Sequence, residues 1–265
     1  MSVHKIATVL CFSGHDPSGG AGIQADIETI KSMGAHPASV ITALTVQNTR
    51  NVSDFKATET DLFIEQVDTI LEDISVKAFK IGMTASAEIV QAIHDVLLRY
   101  PDIPVVLDPV LAAGGGGALQ TDDTLNAIKS KLLPLATIIT PNSIEARRLS
   151  GNETDLHQCG KLLMDSGCQH VLITGTHEDE QHVNNLWFSE GQHKESFSWD
   201  RLPHEYHGSG CTLASAVAAL LAQGLSPFTA VYEAQEFTWN SLHAGYQVNQ
   251  HGQYIPNRFY WTADD

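Results

Sequence analysis

Short β-branched runs alternate with helix-period segments along almost the whole chain, and that alternation leaves few folds open. "IATVLCF" (6–12) leads into a helical segment from Gly20 to Met33, on which Ile23, Ile27 and Ile30 are expected to form one face. Further strands are expected at "PASVITAL" (37–44), "VKAFKIG" (76–82), "PVVLD" (104–108), "ATIIT" (136–140) and "HVLITG" (170–175), with helices near 61–73, 86–99, 122–132 and 154–166 between most of them. Near 185–199, "NNLWFSEGQHKESFSW" changes the pattern to two short runs about a Glu-Gly turn, an antiparallel hairpin at a sheet edge. Helices over 210–223 and 227–247 close the chain. The order predicts a largely parallel sheet covered by helices on both faces. No low-complexity linker or repeat divides it, so a single domain over 1–265 is expected.

Composition narrows the function classes. A 43% hydrophobic content is enough for a full core, while 31 acidic against 15 basic residues leave a net charge of −16 that repels nucleic acid and anionic membrane. No apolar run approaches the roughly eighteen residues needed to cross a bilayer. Cys11, Cys159, Cys168 and Cys211 have neither CxxC spacing nor the density of a disulfide framework, and no charged-then-apolar leader precedes "HKIATVLCF". A soluble protein of the reducing cytoplasm is expected.

In open sheets of this kind, ligands sit beyond the carboxyl ends of the strands, so the residues that follow each strand carry the functional information. These are "SGHDPSGGAGIQAD", "TVQNT", "GMT", "DPVLAAGGGGAL", "TPNSIEA" and "TGTH" in turn. Glycines 14, 19, 20 and 22 let backbone amides approach a ligand, or simply make a tight turn; the Gly-Lys-Ser/Thr ending of a P-loop is missing. Asp26 reads locally as a solvated acid of the first helix, Gln47 as a loop cap, and Asp108 as a turn residue. Asn142 and Glu145 have capping-box spacing. The pair His204 and His207 reads as loop or substrate rim rather than metal ligand.

The strongest local signal is "HGSGCTLASA" (207–216). Gly208 and Gly210 can turn the chain so that successive amides point one way, and Leu213, Val217, Leu220 and Leu221 then define a helix face. A helix start there would hold an anion and lower the pKa of Cys211; the competing reading is a small buried thiol packed among alanines.

Taken together, "DPSGGAGIQAD", "SVITALTVQNT", "KIGM", "TPNSIEA" and "HGSGCTLASA" resemble the signature set of the hydroxymethylpyrimidine and phosphomethylpyrimidine kinases of thiamine biosynthesis, within the ribokinase-like superfamily. The resemblance implies a three-layer α/β/α ribokinase-like fold with a mainly parallel central sheet and an edge hairpin. It also implies transfer of the ATP γ-phosphoryl group to the hydroxymethyl oxygen of 4-amino-5-hydroxymethyl-2-methylpyrimidine and then to its monophosphate. Carried over, it puts Gln47 against the amino-pyrimidine edge with Gly14, Asp26, Met83 and Val110 around the ring. Asp108, Asn142, Glu145 and Thr174 fall on the nucleotide side, where Asp108 and Glu145 act through Mg²⁺ and its waters. Cys211 accepts the hydroxymethyl proton while Gly208, Ser209 and Gly210 form an anion hole. The chain departs from the family at Thr174, where a lysine is frequent, and at Gly114–Gly117, which replaces a Lys-Ser-Gly-Asp-like stretch and suggests a mobile flap. Its partners are expected to be ATP and a small pyrimidine, with no nucleic acid or membrane, in a homodimer. Pyridoxal kinase, a weakened pyrimidine-binding homologue and a cysteine hydrolase using His207 as base are the rival readings.

Overall fold

A computed structural model describes residues 6–111 and 121–262. In chain order its elements are β1 (Thr8–His15), α1 (Gly22–Ser32), β2 (His36–Gln47), β3 (Val52–Ala57), α2 (Thr60–Asp73), β4 (Val76–Ile81), α3 (Ala87–Arg99), β5 (Val105–Leu107) and α4 (Asp122–Ala127). There follow β6 (Ile138–Ile139), α5 (Ser143–Leu149), α6 (Leu156–Asp165), β7 (His170–Ile173), β8 (His182–Ser189), β9 (Gln192–Asp200), α7 (Ser209–Ala222) and α8 (Pro227–His243). All nine strands form one sheet, in the order β3-β2-β1-β4-β5-β6-β7-β8-β9. It is parallel from β2 to β7 and closes with antiparallel β3 at one end and the β8–β9 hairpin at the other.

The three layers follow from strand alternation. Leu10 and Phe12 of β1, Val105 and Leu107 of β5, and Ile139 of β6 pack with Phe63 of α2, Ile89 and Ile93 of α3 and Leu163 of α6. Their neighbours Val9, Cys11, Val106 and Ile138 point the other way, against Ile30 of α1 and the alanine-rich α7 and α8. Helix α7 is buried from Thr212 to Leu221, and its small residues let it lie close to the sheet.

Several expectations need correction. The inner face of α1 is Ala25, Asp26, Thr29 and Ile30, while Ile27 is exposed; the isoleucine spacing marked a face turned partly to solvent. The helix expected over 122–132 is α only to Ala127, then widens into a π turn (Ile128–Leu132) and a 3₁₀ turn (Leu133–Leu135) at Pro134. Strand β3 and helix α5 lie where no regular element is expected from periodicity. Gly114–Gly117 lie outside the described residues. Among the described residues, no helix is long and apolar enough to cross a membrane.

Candidate active site

A cavity of ≈ 640 Å³ opens along the carboxyl ends of the strands, lined by Gly14, Gln47, Met83, Val110, Asp108, Asn142, Glu145, Thr174 and residues 208–211. Sheet order explains its length. Gln47 ends β2 and Thr174 follows β7, five strand spacings apart, about 24 Å at the usual separation. One end is apolar, where Met83 packs with Ala43, Ala85 and Val110. Val110 holds φ 38°, a conformation that β-branched residues rarely adopt.

Two glycine turns meet in the middle. Gly22 (φ 58°) packs its Cα against the carbonyl of Gly14, and Gly208 (φ 85°) does the same against the carbonyl of Gly20, so a methyl group at either position would overlap backbone. Arg258, 1% exposed, fastens this junction: it donates to the Gly20 carbonyl (2.6 Å), to Thr212 Oγ1 (3.0 Å) and to Glu28 (2.9 Å). Gly208 is the N-cap of α7, and the first helical bond runs from Thr212 N to the Gly208 carbonyl at 2.9 Å. The amides of Ser209, Gly210 and Cys211 therefore lie outside the helical ladder, at the positive end of a 14-residue helix.

Three ionisable groups converge beside this helix start. Burial, with the Asp26 charge, raises the Asp108 carboxyl to about 6, against the lowering effect of Lys80, the Cys211 thiol and the Val110 amide. Burial and the Asp108 charge raise Glu145 to about 7, although it accepts from the amides of Asn142 (3.0 Å) and Leu111 (3.0 Å). Asn142 Oδ1 in turn accepts from Glu145 N (2.9 Å), so the capping box is real and is built from a cavity carboxylate.

The expected lowering of the Cys211 pKa does not occur. Burial, with Asp108 and Asp26 adding to it, pushes the thiol up to about 12 despite Lys80 and a hydrogen bond from the Gly22 amide. The helix end is positive and the Lys80 ammonium pulls the same way, but burial outweighs both.

Asp26 needs a second correction. It is 0% exposed on α1, pairs with Lys80 Nζ (2.8 Å) and accepts from Ser215 Oγ (2.7 Å), so it supports the cleft floor from behind and offers no surface to a ring. Lys80 was not among the expected site residues. It is fully buried, donates also to Ser13 Oγ (3.2 Å), and fits because Gly82, two residues on, leaves the space its ammonium fills. Burial lowers its pKa, but Asp26, Cys211 and Asp108 outweigh that and keep it charged. A lysine in a central strand was the available signal, since a buried charge requires a partner. His207 is not a free rim residue either: its Nε2 lies 2.9 Å from Asp16 Oδ2 and 3.0 Å from Gln47 Nε2.

Residues 16–256 match the phosphomethylpyrimidine kinase family. The hydroxymethylpyrimidine/phosphomethylpyrimidine kinase of Rhizobium meliloti is 39% identical over 249 residues, 90% of each chain. Among solved structures, the pyridoxal kinase of Staphylococcus aureus in complex with AMP-PCP and pyridoxal superposes with a TM-score of 0.88 at 30% identity, covering 98% of this chain and 96% of that one. The phosphomethylpyrimidine kinase of Clostridium difficile gives 0.77 at 33% identity, over 88% and 98%. Because the match runs from the first glycine turn through α7 to the segment carrying Arg258's neighbours, this chain belongs to the phosphomethylpyrimidine kinase family.

Proposed function

We propose that the Cys211–Asp108 pair is the proton acceptor of this enzyme, a hydroxymethylpyrimidine/phosphomethylpyrimidine kinase of thiamine biosynthesis. The carrying observation is that Cys211 and the buried carboxylate of Asp108 line the same cavity and interact there, beside the unladdered amides of α7. As the hydroxymethyl oxygen forms its bond to the γ-phosphorus of ATP and the bond from that phosphorus to the β–γ bridging oxygen breaks, the hydroxyl proton passes to the Cys211 sulfur. The thiol's own proton passes to Asp108. This route needs no free thiolate beforehand, which reconciles a raised thiol pKa with base chemistry. The amides of Ser209, Gly210 and Cys211 stabilise the charge that the transferring group carries.

Gln47 offers the pyrimidine an amide, whose donor and acceptor pair side by side with a ring nitrogen and an amino group. Met83, Val110 and Gly14 give the ring its apolar and close-packed surroundings. Thr174 and Asn142 lie at the nucleotide end, where Thr174 supplies a hydroxyl but no charge. Asp108 and Glu145 fit Mg²⁺: both are buried carboxylates whose repulsion raises Glu145, and no group of three or more His, Cys, Asp or Glu able to hold a metal occurs among the described residues. That suits an ion that prefers water and phosphate oxygens to a protein cage. Bound there, Mg²⁺ supplies positive charge to the phosphate oxygens.

The hydrolase alternative fares poorly, because His207 is engaged by Asp16 and Gln47 and the thiol is not a ready nucleophile. The deciding experiment is ADP release from Mg·ATP with hydroxymethylpyrimidine, its monophosphate or pyridoxal. Both pyrimidines should turn over, faster than pyridoxal. Cys211→Ala should lower kcat about 10²-fold or more with pyrimidine Kd unchanged; near-normal kcat would mean that the cysteine is only packing.

A further inference from the structure

At the pyrimidine end of the cleft, a hydrogen-bonded chain takes no part in the proton transfer. Asp16 is 2% exposed and accepts from Ser18 N, Ser18 Oγ and Ala21 N, each at 2.8 Å; its second oxygen also faces His207 Nε2 at 2.9 Å. With two backbone amides and a hydroxyl already donating to it, Asp16 is an ionised acceptor; burial works against the charge, but the contacts with His207, Ser18 and Ala21 outweigh it and hold the carboxyl down to about 2. The proton between the two side chains therefore sits on His207 Nε2. The same nitrogen lies 3.0 Å from the Gln47 amide, and a protonated Nε2 cannot accept from an amide nitrogen.

The other side of the amide gives the same answer independently. Thr45 Oγ1 lies 3.0 Å from the Gln47 amide and 2.8 Å from the His15 carbonyl. A hydroxyl has one proton, and a carbonyl can only accept, so that proton goes to His15. Towards Gln47, Thr45 can then only accept. Both neighbours call for the Gln47 amide turned through half a rotation, with its oxygen sharing the single Nε2–H of His207 with Asp16 in a three-centre bond and its nitrogen towards Thr45. The turn exchanges two atoms of equal size and moves nothing else.

We infer that Asp16 and His207, with Thr45 on the opposite side, act as a latch that fixes the donor–acceptor order of the Gln47 amide and thereby selects which pyrimidine edge the kinase accepts. The inference rests on the reading of Gln47 as the residue that meets the ring's edge. After the latch has used one lone pair and one N–H, the amide retains one of each. A ring edge with an amino donor beside a nitrogen acceptor satisfies both. The 4-oxo analogue, 5-hydroxymethyl-2-methylpyrimidin-4-one, has a carbonyl beside a ring N–H, the reverse order, and leaves two mismatched pairs. Asp16, His207 and Thr45 are thus positioning residues that act through Gln47.

The test measures Kd of the full chain by calorimetry, without nucleotide, for 4-amino-5-hydroxymethyl-2-methylpyrimidine and for the 4-oxo analogue. Wild type should prefer the amino compound by about 10²-fold or more. His207→Met, which keeps the bulk and removes the donor, should narrow that ratio about tenfold, with the oxo compound bound as well as or better than by wild type. His207→Gln, whose amide can still donate beside Asp16, should restore the preference. Thr45→Val should narrow it from the other side, and decides the matter if His207→Met does not fold. Parallel weakening of both ligands, or an unchanged ratio in the folded variants, overturns the latch. So does a wild type that does not discriminate. Gln47→Leu separates the levels: an unchanged ratio there means that Gln47 does not meet the ring, and the underlying reading fails rather than the proton count.

Discussion

At the scale of single residues, the site is governed by carboxylates held in burial beside one another. Glu145 serves two purposes that looked exclusive from its spacing: it caps α5 and it faces the cleft. Its carboxyl is raised to about 7 by burial and by Asp108, so the folded state favours the protonated form. A raised acid contributes stability that is full below the ordinary carboxylate range and is lost as pH rises through about 7. Glu145→Gln keeps the capping bond, because its oxygen still accepts from the Asn142 amide, removes the charge, and turns an NH₂ group towards the Leu111 amide at every pH. The melting temperature of the variant relative to wild type should therefore rise from pH 5 to pH 8, while the variant needs more Mg²⁺ for activity. A difference that does not change between the two pH values, with the metal requirement unaltered, would reduce Glu145 to a cap. The residues after each strand were legible because an open sheet puts its cleft there, and Gln47, Asp108, Asn142 and Thr174 all line the cavity. Asp26, Lys80 and the Asp16–His207 pair were not, since pairings across 54 and 191 positions leave no local pattern.

At the scale of elements, the functional unit is the join between the loop before α1 and the start of α7. Gly208 and Gly210 lie two residues apart and are not equivalent. Gly208 has φ 85° and its Cα abuts the Gly20 carbonyl, whereas a Cβ on Gly210 would meet only Asp108 Oδ2, at 3.9 Å. Gly208→Ala should cost several degrees of melting temperature, through both the left-handed backbone and the clash, and abolish activity by moving the amides. Gly210→Ala should melt at or above wild type, since alanine suits a helix by about 1 kcal/mol over glycine, but lose activity because its methyl group stands in the cleft. Thermal shift with a kinase assay reads both, and equal stability loss in the two variants would contradict the geometry. The element order was readable for a related physical reason: interior parallel strands are buried on both faces and appear as continuous apolar runs. Strand β3, "VSDFKA", is an edge with three exposed residues, and α5 has only seven residues, too few to show a period. All six positions of β3 are exposed or half-buried, so no apolar alternation marks it, and only the capping-box spacing announces α5.

At the scale of the whole molecule, the question is whether the two ends of the cleft belong to one cooperative unit. Nine strands form one uninterrupted sheet, and each of its two main faces has one apolar cluster: Val9 of β1 shares a cluster with Trp187 of β8, and Leu10 shares the opposite one with Phe188. A chain that unfolded in two parts would have to tear both clusters at the same strand pair. We propose a single folding domain, so calorimetry should give one transition whose calorimetric and van't Hoff enthalpies agree. Ligands sharpen the test, because ADP and pyrimidine are read to occupy opposite ends. Each, at 100 times its Kd, stabilises the native state by about 2.7 kcal/mol. With an unfolding entropy of about 2.1 cal/mol/K per residue, that moves the melting temperature of a 265-residue unit by about 5 °C. In one domain, either ligand alone shifts the entire transition by this amount, and the two together shift it by about twice as much. Had the β1–β4 end and the β7–β9 end been separate units, each ligand would move only part of the heat-capacity peak and split it in two.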